Sequence, residues 1–335
     1  MTRPALRRTV LTLALATIAT ATLAQRAAKP QSTGPAPAWP TKPVKIIVGF
    51  PGGSTPDLVA RTLAEPLSKA LGQPVIVDNR VGAGGNIAAD LVAKATDDHT
   101  IGVMINGNMT IAKMLNPALP YDPLKAFAPI SLIGTAPLLL TAPANAPGNT
   151  AQEFFLAARN AGDKWSYGTP GVGTVAHIGM ELLKTRTSIA PVHVPYPGNP
   201  QVITAMISGQ IQLALLPPAL AAQQIRAGKL KAIGVTSTSR SPLVPEYPSL
   251  EEAGIRGFQL EIWTAAAGPA SMPKPIVNKL SALISDITRS PEVRQKLFAQ
   301  GWQAAGTSAE GLANRIKSDT SLLGGVIAMR GIKAE

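Results

Sequence analysis

VKIIVGFPGGSTPDLVARTLAEPLSKALG, Val44 to Gly72, passes from an apolar run interrupted only by Lys45 through a glycine-rich corner into an amphipathic pattern. Val44–Phe50 carries no alternation, as expected of a strand buried on both faces. From Pro56 to Leu71 apolar residues recur at 58/59, 63, 66/67 and 70/71, the spacing of a helix with one buried stripe. Thr55 stands at the N-cap position and Pro56 at the first helical position, where its missing N–H costs nothing. The first turn of a helix leaves N–H groups unpaired at the positive end of its dipole. The corner therefore admits three readings: a nucleotide phosphate, a small anion, or a tight turn alone.

A second corner repeats the plan. In WSYGTPGVGTVAHIGMELLK, Trp165 to Lys184, a strand enters Gly171-Val172-Gly173 and Thr174 caps the helix that follows. Neither corner has the lysine of a phosphate-binding P-loop, and the glycines of VGAGGNIAAD, Val81 to Asp90, are out of dinucleotide-loop order. A carboxylate gripped from two sides fits better. Asp57 at the second helical position favours the dipole; it either caps the helix or accepts a hydrogen bond from a ligand.

Strand-like and helix-like segments alternate along most of the chain, which predicts α/β layers with largely parallel sheets in two doubly wound lobes. Ligands of such sheets sit beyond the carboxyl ends of the strands, where both corners fall.

The leading MTRPALRRTVLTLALATIATATLAQ has a positive start at Arg3, Arg7 and Arg8, an uncharged run, and small residues before Gln25. It reads as a signal peptide over residues 1–24, by the general or the twin-arginine route, followed by a Pro/Ala-rich flexible leader over 25–38. The chain has no cysteine, which removes disulfides, thiol nucleophiles and cysteine metal sites. Its formal charge is +12, but the basic residues are scattered singly among few aromatics. That pattern opposes nucleic-acid binding and suits long-range attraction of anions.

The three histidines, His99, His177 and His193, lack metal-ligand spacing, and no serine elbow is present. No metal or cofactor is expected. His177 falls near the third position of the second corner's helix, within reach of an anion or packed as a structural histidine. Phe50 and Tyr196 are candidate cleft walls. Asn106 and Asn108 follow a strand end, where they serve either a ligand or a turn.

WPTKPVKIIVGFPGGSTPDLVAR, VIVDNRVGAGGNIAADLVAKA, LPYDPLKAFAPISLIG, YGTPGVGTVAHIGMELLK, HVPYPGNPQVITAMISGQIQLAL and LKAIGVTSTSRSPLVPEYPSLEEAG follow one another in order. The set resembles the Bug family, the solute-binding receptors of tripartite tricarboxylate transporters, from Trp39 to about Gly306. The resemblance implies a periplasmic binding protein of type II topology, with two α/β lobes closing over a di- or tricarboxylate, an aromatic acid or an amino acid. It places the grip on the ligand at Gly53, Ser54, Thr55 and Asp57 and at Gly171, Gly173 and Thr174. It also implies membrane transporter subunits, or a sensor, as partners.

The chain departs from the family pattern at Pro56, where a hydroxyl residue is usual, and at Leu215-Leu216-Pro217-Pro218, where many members carry an acid. The second departure favours an apolar or aromatic acid over an amino acid. The expected molecule is a receptor with lobe one over 39–135 plus 258–335, lobe two over 136–257, and a hinge where Ile130–Leu140 and Gln259–Gly268 cross. An exported hydrolase acting on a small ester or amide is the alternative.

Overall fold

A computed structural model describes residues 39–332, so the expected signal peptide (1–24) and leader (25–38) lie outside the described residues. Eleven strands are found there: β1 Val44–Val48, β2 Val75–Asn79, β3 Thr100–Ile105, β4 Phe127–Pro137, β5 Leu139–Pro143, β6 Ser166–Thr169, β7 Val192–Pro195, β8 Leu213–Leu216, β9 Leu230–Val235, β10 Glu261–Pro269 and β11 Gln303–Ala304. They form two sheets, ordered β11-β4-β10-β3-β1-β2 and β7-β6-β8-β5-β9. Each sheet with its helices makes one lobe of a two-lobed, type II-like binding fold.

Both faces of each sheet are covered, and neighbouring residues divide between the two sides. In β1, Ile46 packs with the helices Thr55–Leu71 and Lys274–Arg289, whereas Ile47 packs with Ala88, Ala89 and Val92 of the helix Asn86–Ala93. In β8, Leu213 and Leu215 join one core and Ala214 and Leu216 the other. Two-sided burial is why these strands read as continuous apolar runs.

The sheets are mixed, which corrects the expectation of largely parallel ones. β1 is parallel to β2 and β3, and β6 to β7 and β8, but β10 runs antiparallel to β3 and β4, and β5 antiparallel to β8 and β9. The cause is the path between lobes. β4 leaves the first sheet and continues at once into β5 of the second; the chain returns only at β10, which pairs back along β4 from Glu261 opposite Pro137. Strands that carry the chain across enter each sheet against the direction of the βαβ units.

The two crossings are tied by one buried threonine. The Thr236 backbone N–H donates to the carbonyl of Leu138 (2.8 Å) and its carbonyl accepts from the N–H of Leu260 (2.9 Å). Its hydroxyl accepts from the N–H of Leu138 (2.8 Å) and donates to the carbonyl of Leu260 (2.7 Å). The last helix, Ala309–Arg330, also touches both lobes: Leu312 and Ile316 join a core of the first sheet, Leu323 and Ile327 a core of the second.

Candidate functional site

The carboxyl ends of β1 and β3 face those of β6 and β8 across a cavity. The first lobe contributes Phe50, Ser54, Thr55, Pro56, Asn106 and Trp302; the second contributes Pro170, Thr174, Val175, Ala176, Asn199 and Leu215. Leu138 and Ile262, at the two crossings, also line it. The lining contains no Asp, Glu, Lys, Arg or His.

Its polar groups are unusually idle. Ser54 Oγ, Thr55 Oγ1, Asn106 Oδ1, Asn199 Oδ1 and Trp302 Nε1 are buried and have no hydrogen-bond partner in the protein. Buried polar atoms are nearly always paired, because leaving one unpaired costs about 1–3 kcal/mol. Five such atoms on the lining of one cavity mark a place built to bind something polar.

The first corner owes its shape to Asp57. This residue is buried, and its carboxylate accepts from the Gly53 N–H (2.9 Å), from Asn79 Nδ2 (2.9 Å) and from Arg61 Nε (3.0 and 3.1 Å). Asn79 Nδ2 also donates to the carbonyl of Phe50 (2.8 Å), which joins the end of β2 to the turn. Burial pushes the Asp57 carboxyl up, but the hydrogen bonds from Arg61, Asn79 and Gly53 outweigh it and hold the group below the usual aspartate value. Asp57 thus works behind the corner, and its oxygens are committed to protein donors. Gly53, with φ 77°, is exposed and gives its N–H to that carboxylate. Ser54 and Thr55 are the members of the corner that face the cavity.

The second corner divides in the same way. Thr174 lines the cavity, yet its hydroxyl donates to the carbonyl of Gly171 (2.8 Å) and accepts from the His177 N–H (3.4 Å), so its oxygen serves as the helix cap. His177 is buried behind the corner. Its ring stacks on His193 at 4.5 Å, and its Nδ1 lies 3.5 Å from the Gly173 N–H. Burial pushes the His193 imidazole down to about 4. Tyr196 lies outside the cavity, on a wider recess that it shares with Val81–Gly84 and Gly171–Gly173. Asn108 donates to the Gly84 carbonyl (2.9 Å) and to Asn86 Oδ1 (2.8 Å) and holds the glycine loop.

The glycines of the second corner are where the two lobes touch. A Cβ at Gly171 would lie 2.7 Å from Gly84 Cα, one at Gly84 2.7 Å from the Val172 carbonyl oxygen, and one at Gly107 inside contact distance of the Gly173 carbonyl oxygen. On another side of the cleft a Cβ at Gly198 would lie 2.8 Å from Pro51 Cδ. Backbone meets backbone along this seam, and only glycine leaves room for it.

Sequence reasoning missed Trp302 and Asn199. Trp302 follows a helix far along the chain, and only the fold brings it to the end of β1. Asn199 begins the helix Asn199–Ile207 right after Gly198, a hint of the same strand-to-helix corner that was read at Thr55 and Thr174.

Ser54 Oγ has no hydrogen-bond partner, so no general base is seated on it, and the hydrolase alternative finds no support. Among the described residues no group of three or more His, Asp or Glu is placed to hold a metal, and no helix is long and apolar enough to cross a membrane.

Comparison with known proteins gives one consistent result. The chain is 34% identical over 316 residues to a UPF0065 protein in the tcbD-tcbE intergenic region of Pseudomonas sp. strain P51, covering 94% of this chain and 91% of that one. Among solved structures it is similar to MatC from Rhodopseudomonas palustris with bound malate (TM-score 0.82, 32% identity, 86% of this chain and 99% of that one). It is equally similar to the periplasmic binding protein BugD (TM-score 0.83, 30% identity, 88% and 99%). The model of the tripartite tricarboxylate transporter family receptor matches residues 59–332. The chain belongs to that family of substrate-binding receptors, which includes the Bug proteins and is not a family of enzymes.

Proposed function

We propose that this chain is a periplasmic receptor that captures a small carboxylate in the cavity between its lobes and delivers it to a tripartite membrane transporter or to a sensor. The observation that carries the reading is the set of unpartnered polar atoms on a buried lining without ionisable side chains. Ser54 and Thr55 offer hydroxyls at the start of one helix, and Val175 and Ala176 open another. A carboxylate gains from both positive helix ends, and no acidic side chain on the lining repels it. MatC, a member of the same fold at 32% identity, holds malate. An ammonium group finds no acid on the lining, which ranks di- or tricarboxylates and aromatic acids above amino acids.

Capture requires the lobes to part. The division at 39–135 plus 258–335 and 136–257 puts the hinge at Leu138 and Leu260, where Thr236 joins the crossings. Export through the leading segment 1–24 places the receptor where BugD acts, in the periplasm.

A panel of carboxylic acids followed by thermal melting tests the reading. At 100 times its Kd a ligand adds about 2.7 kcal/mol of apparent stability, a rise of several degrees in melting temperature. The expected result is a clear shift with at least one acid and none with its amide. Shifts of equal size for an acid and its amide refute carboxylate capture.

A further inference from the structure

We infer that the second lobe carries a further site, outside the cavity between the lobes, for a small oxyanion of more than one charge. Arg159, Arg186 and Arg256 hold it, and a phosphate group is the chemistry they fit. The inference stands apart from whatever the cavity binds.

Basic residues that are scattered singly in the sequence meet here in space. Arg159 lies in the last turn of the helix Ala151–Ala161, Arg186 in the last turn of Val175–Thr187, and Arg256 in a turn just ahead of β10. All three line one surface recess of about 300 Å³, with Gln152 and Thr187 beside them and no Asp or Glu. Phe155 and Ile255, both buried in a core of the second sheet, line it too and give it a firm base. Two hydrogen bonds join the segments around it. Arg159 Nη1 donates to the carbonyl of Thr187 (3.2 Å), and Gln152 Nε2 donates to the carbonyl of Ala253 (3.5 Å).

A helix end attracts basic side chains because its dipole is negative there. That accounts for Arg159 and Arg186 but not for Arg256. Each helix end carries only about half a negative charge, so three guanidiniums leave a surplus of about two positive charges. Acids that flank these residues in the chain are used elsewhere. Glu153 accepts from the Asn149 N–H (2.7 Å), Glu251 accepts from the Gly257 N–H (3.1 Å), Glu252 pairs with Arg240 (3.1 Å) and Glu181 pairs with Lys184 (2.9 Å). Among the described residues the side chains of Arg186 and Arg256 have no hydrogen-bond or ion-pair partner.

A guanidinium presents its N–H donors as a fork that fits two oxygens of one anion. Three forks from three chain segments call for oxygens on several sides of the ligand and for more than one negative charge. A single carboxylate has one charge and two oxygens, and it occupies one fork. A phosphate monoester carries about −1.5 to −2 charge at pH 7 and three strong acceptor oxygens, enough to serve all three.

Calorimetric titration of the full receptor with inorganic phosphate and with pyrophosphate tests this, at an ionic strength held constant with sodium chloride because exposed charges are screened. At least one of the two is expected to bind with one-to-one stoichiometry. Arg256→Gln and, separately, Arg186→Gln should each weaken it ten-fold or more. Arg256→Lys, which keeps the charge and loses the fork, should weaken it less than Arg256→Gln. The three side chains changed are exposed, and ligand-free melting of each variant checks that it folds as the wild type does. A saturating carboxylic acid from the melting panel should not displace the phosphate. Absence of binding by both probes, wild-type affinity in either glutamine variant, or displacement by the acid overturns the inference. Failure of the whole carboxylate panel would sink carboxylate capture and leave this site untouched.

Discussion

Gly107→Ala separates closure of the lobes from the stability of each lobe. Gly107 lies in the short helix Asn106–Met109 with no left-handed backbone, so alanine fits its conformation and should favour the helix by about 0.5–1 kcal/mol. The nearest atoms to the new methyl are the Gly173 carbonyl and the neighbouring Thr174 Cα, both on the opposite lobe. To restore ordinary packing the seam must open by on the order of 1 Å, and overpacking of this kind costs about 1–3 kcal/mol. Because the cost falls on the closed state alone, affinity for the acid should drop by roughly 5- to 150-fold. The melting temperature without ligand should hold or rise slightly. Gly52→Ala is the control, since a Cβ there meets nothing within 4 Å. Calorimetry with the best acid of the panel gives the affinity, and small-angle scattering of the complex gives the closure. Wild-type affinity in Gly107→Ala would show that the bound lobes do not meet along the glycine seam, and the reasoning would be wrong.

Ser54→Ala should weaken acid binding by about 0.5–3 kcal/mol and leave ligand-free melting unchanged, because its hydroxyl has no partner in the protein. Thr174→Val should do the reverse, costing about 1 kcal/mol of stability through the lost cap; urea unfolding compared with titration distinguishes them. Asp57→Ala takes the acceptor from the Gly53 N–H and one of two acceptors from Asn79 Nδ2, and should destabilise by about 1–3 kcal/mol, read by urea unfolding, with no compensating gain on adding acid. His193 is held near 4 when folded, below the ordinary imidazole value of 6.5, so the unfolded chain takes up the extra proton between those values. Its contribution to stability is complete above pH 6.5 and is lost as pH falls toward 4, at no more than about 1.4 kcal/mol per unit. His193→Gln should flatten the wild-type profile over that interval, and identical profiles would refute the assignment.

Much of the fold was legible because its strands are buried on two faces. Leu213–Leu216 is an unbroken apolar run and Val44–Val48 one interrupted only by Lys45, and both corners announce themselves by a glycine turn, a hydroxyl and an apolar stripe, although the first helix starts one residue earlier than expected, with Ser54 and not Thr55 at its N-cap. The direction of β5 and β10 was not legible, since apolar periodicity is the same for a strand run either way. Nor was the break between the short helices Asn106–Met109 and Ala112–Leu115, which are divided at Thr110 with φ −128° and ψ −74°. At the site, residue type told which positions could be polar but not which were spoken for. Asp57 and Thr174 look like ligand contacts in the sequence, and their partners, Asn79 and Arg61 for one and Gly171 and His177 for the other, consume them. Gly171 was expected to admit an anion; three-dimensional packing sets it against Gly84, nearly ninety residues earlier in the chain.

The lining without ionisable side chains has a consequence for the energetics of capture. With no group on the cavity wall able to gain or lose a proton, binding an already ionised acid exchanges none with the solvent. The measured heat of binding should then be the same in buffers of very different ionisation enthalpy. Any acidity dependence of capture should follow the titration curve of the free ligand. Such a receptor keeps its grip as the medium turns mildly acidic, until its cargo becomes neutral or the stability linked to His193 is spent.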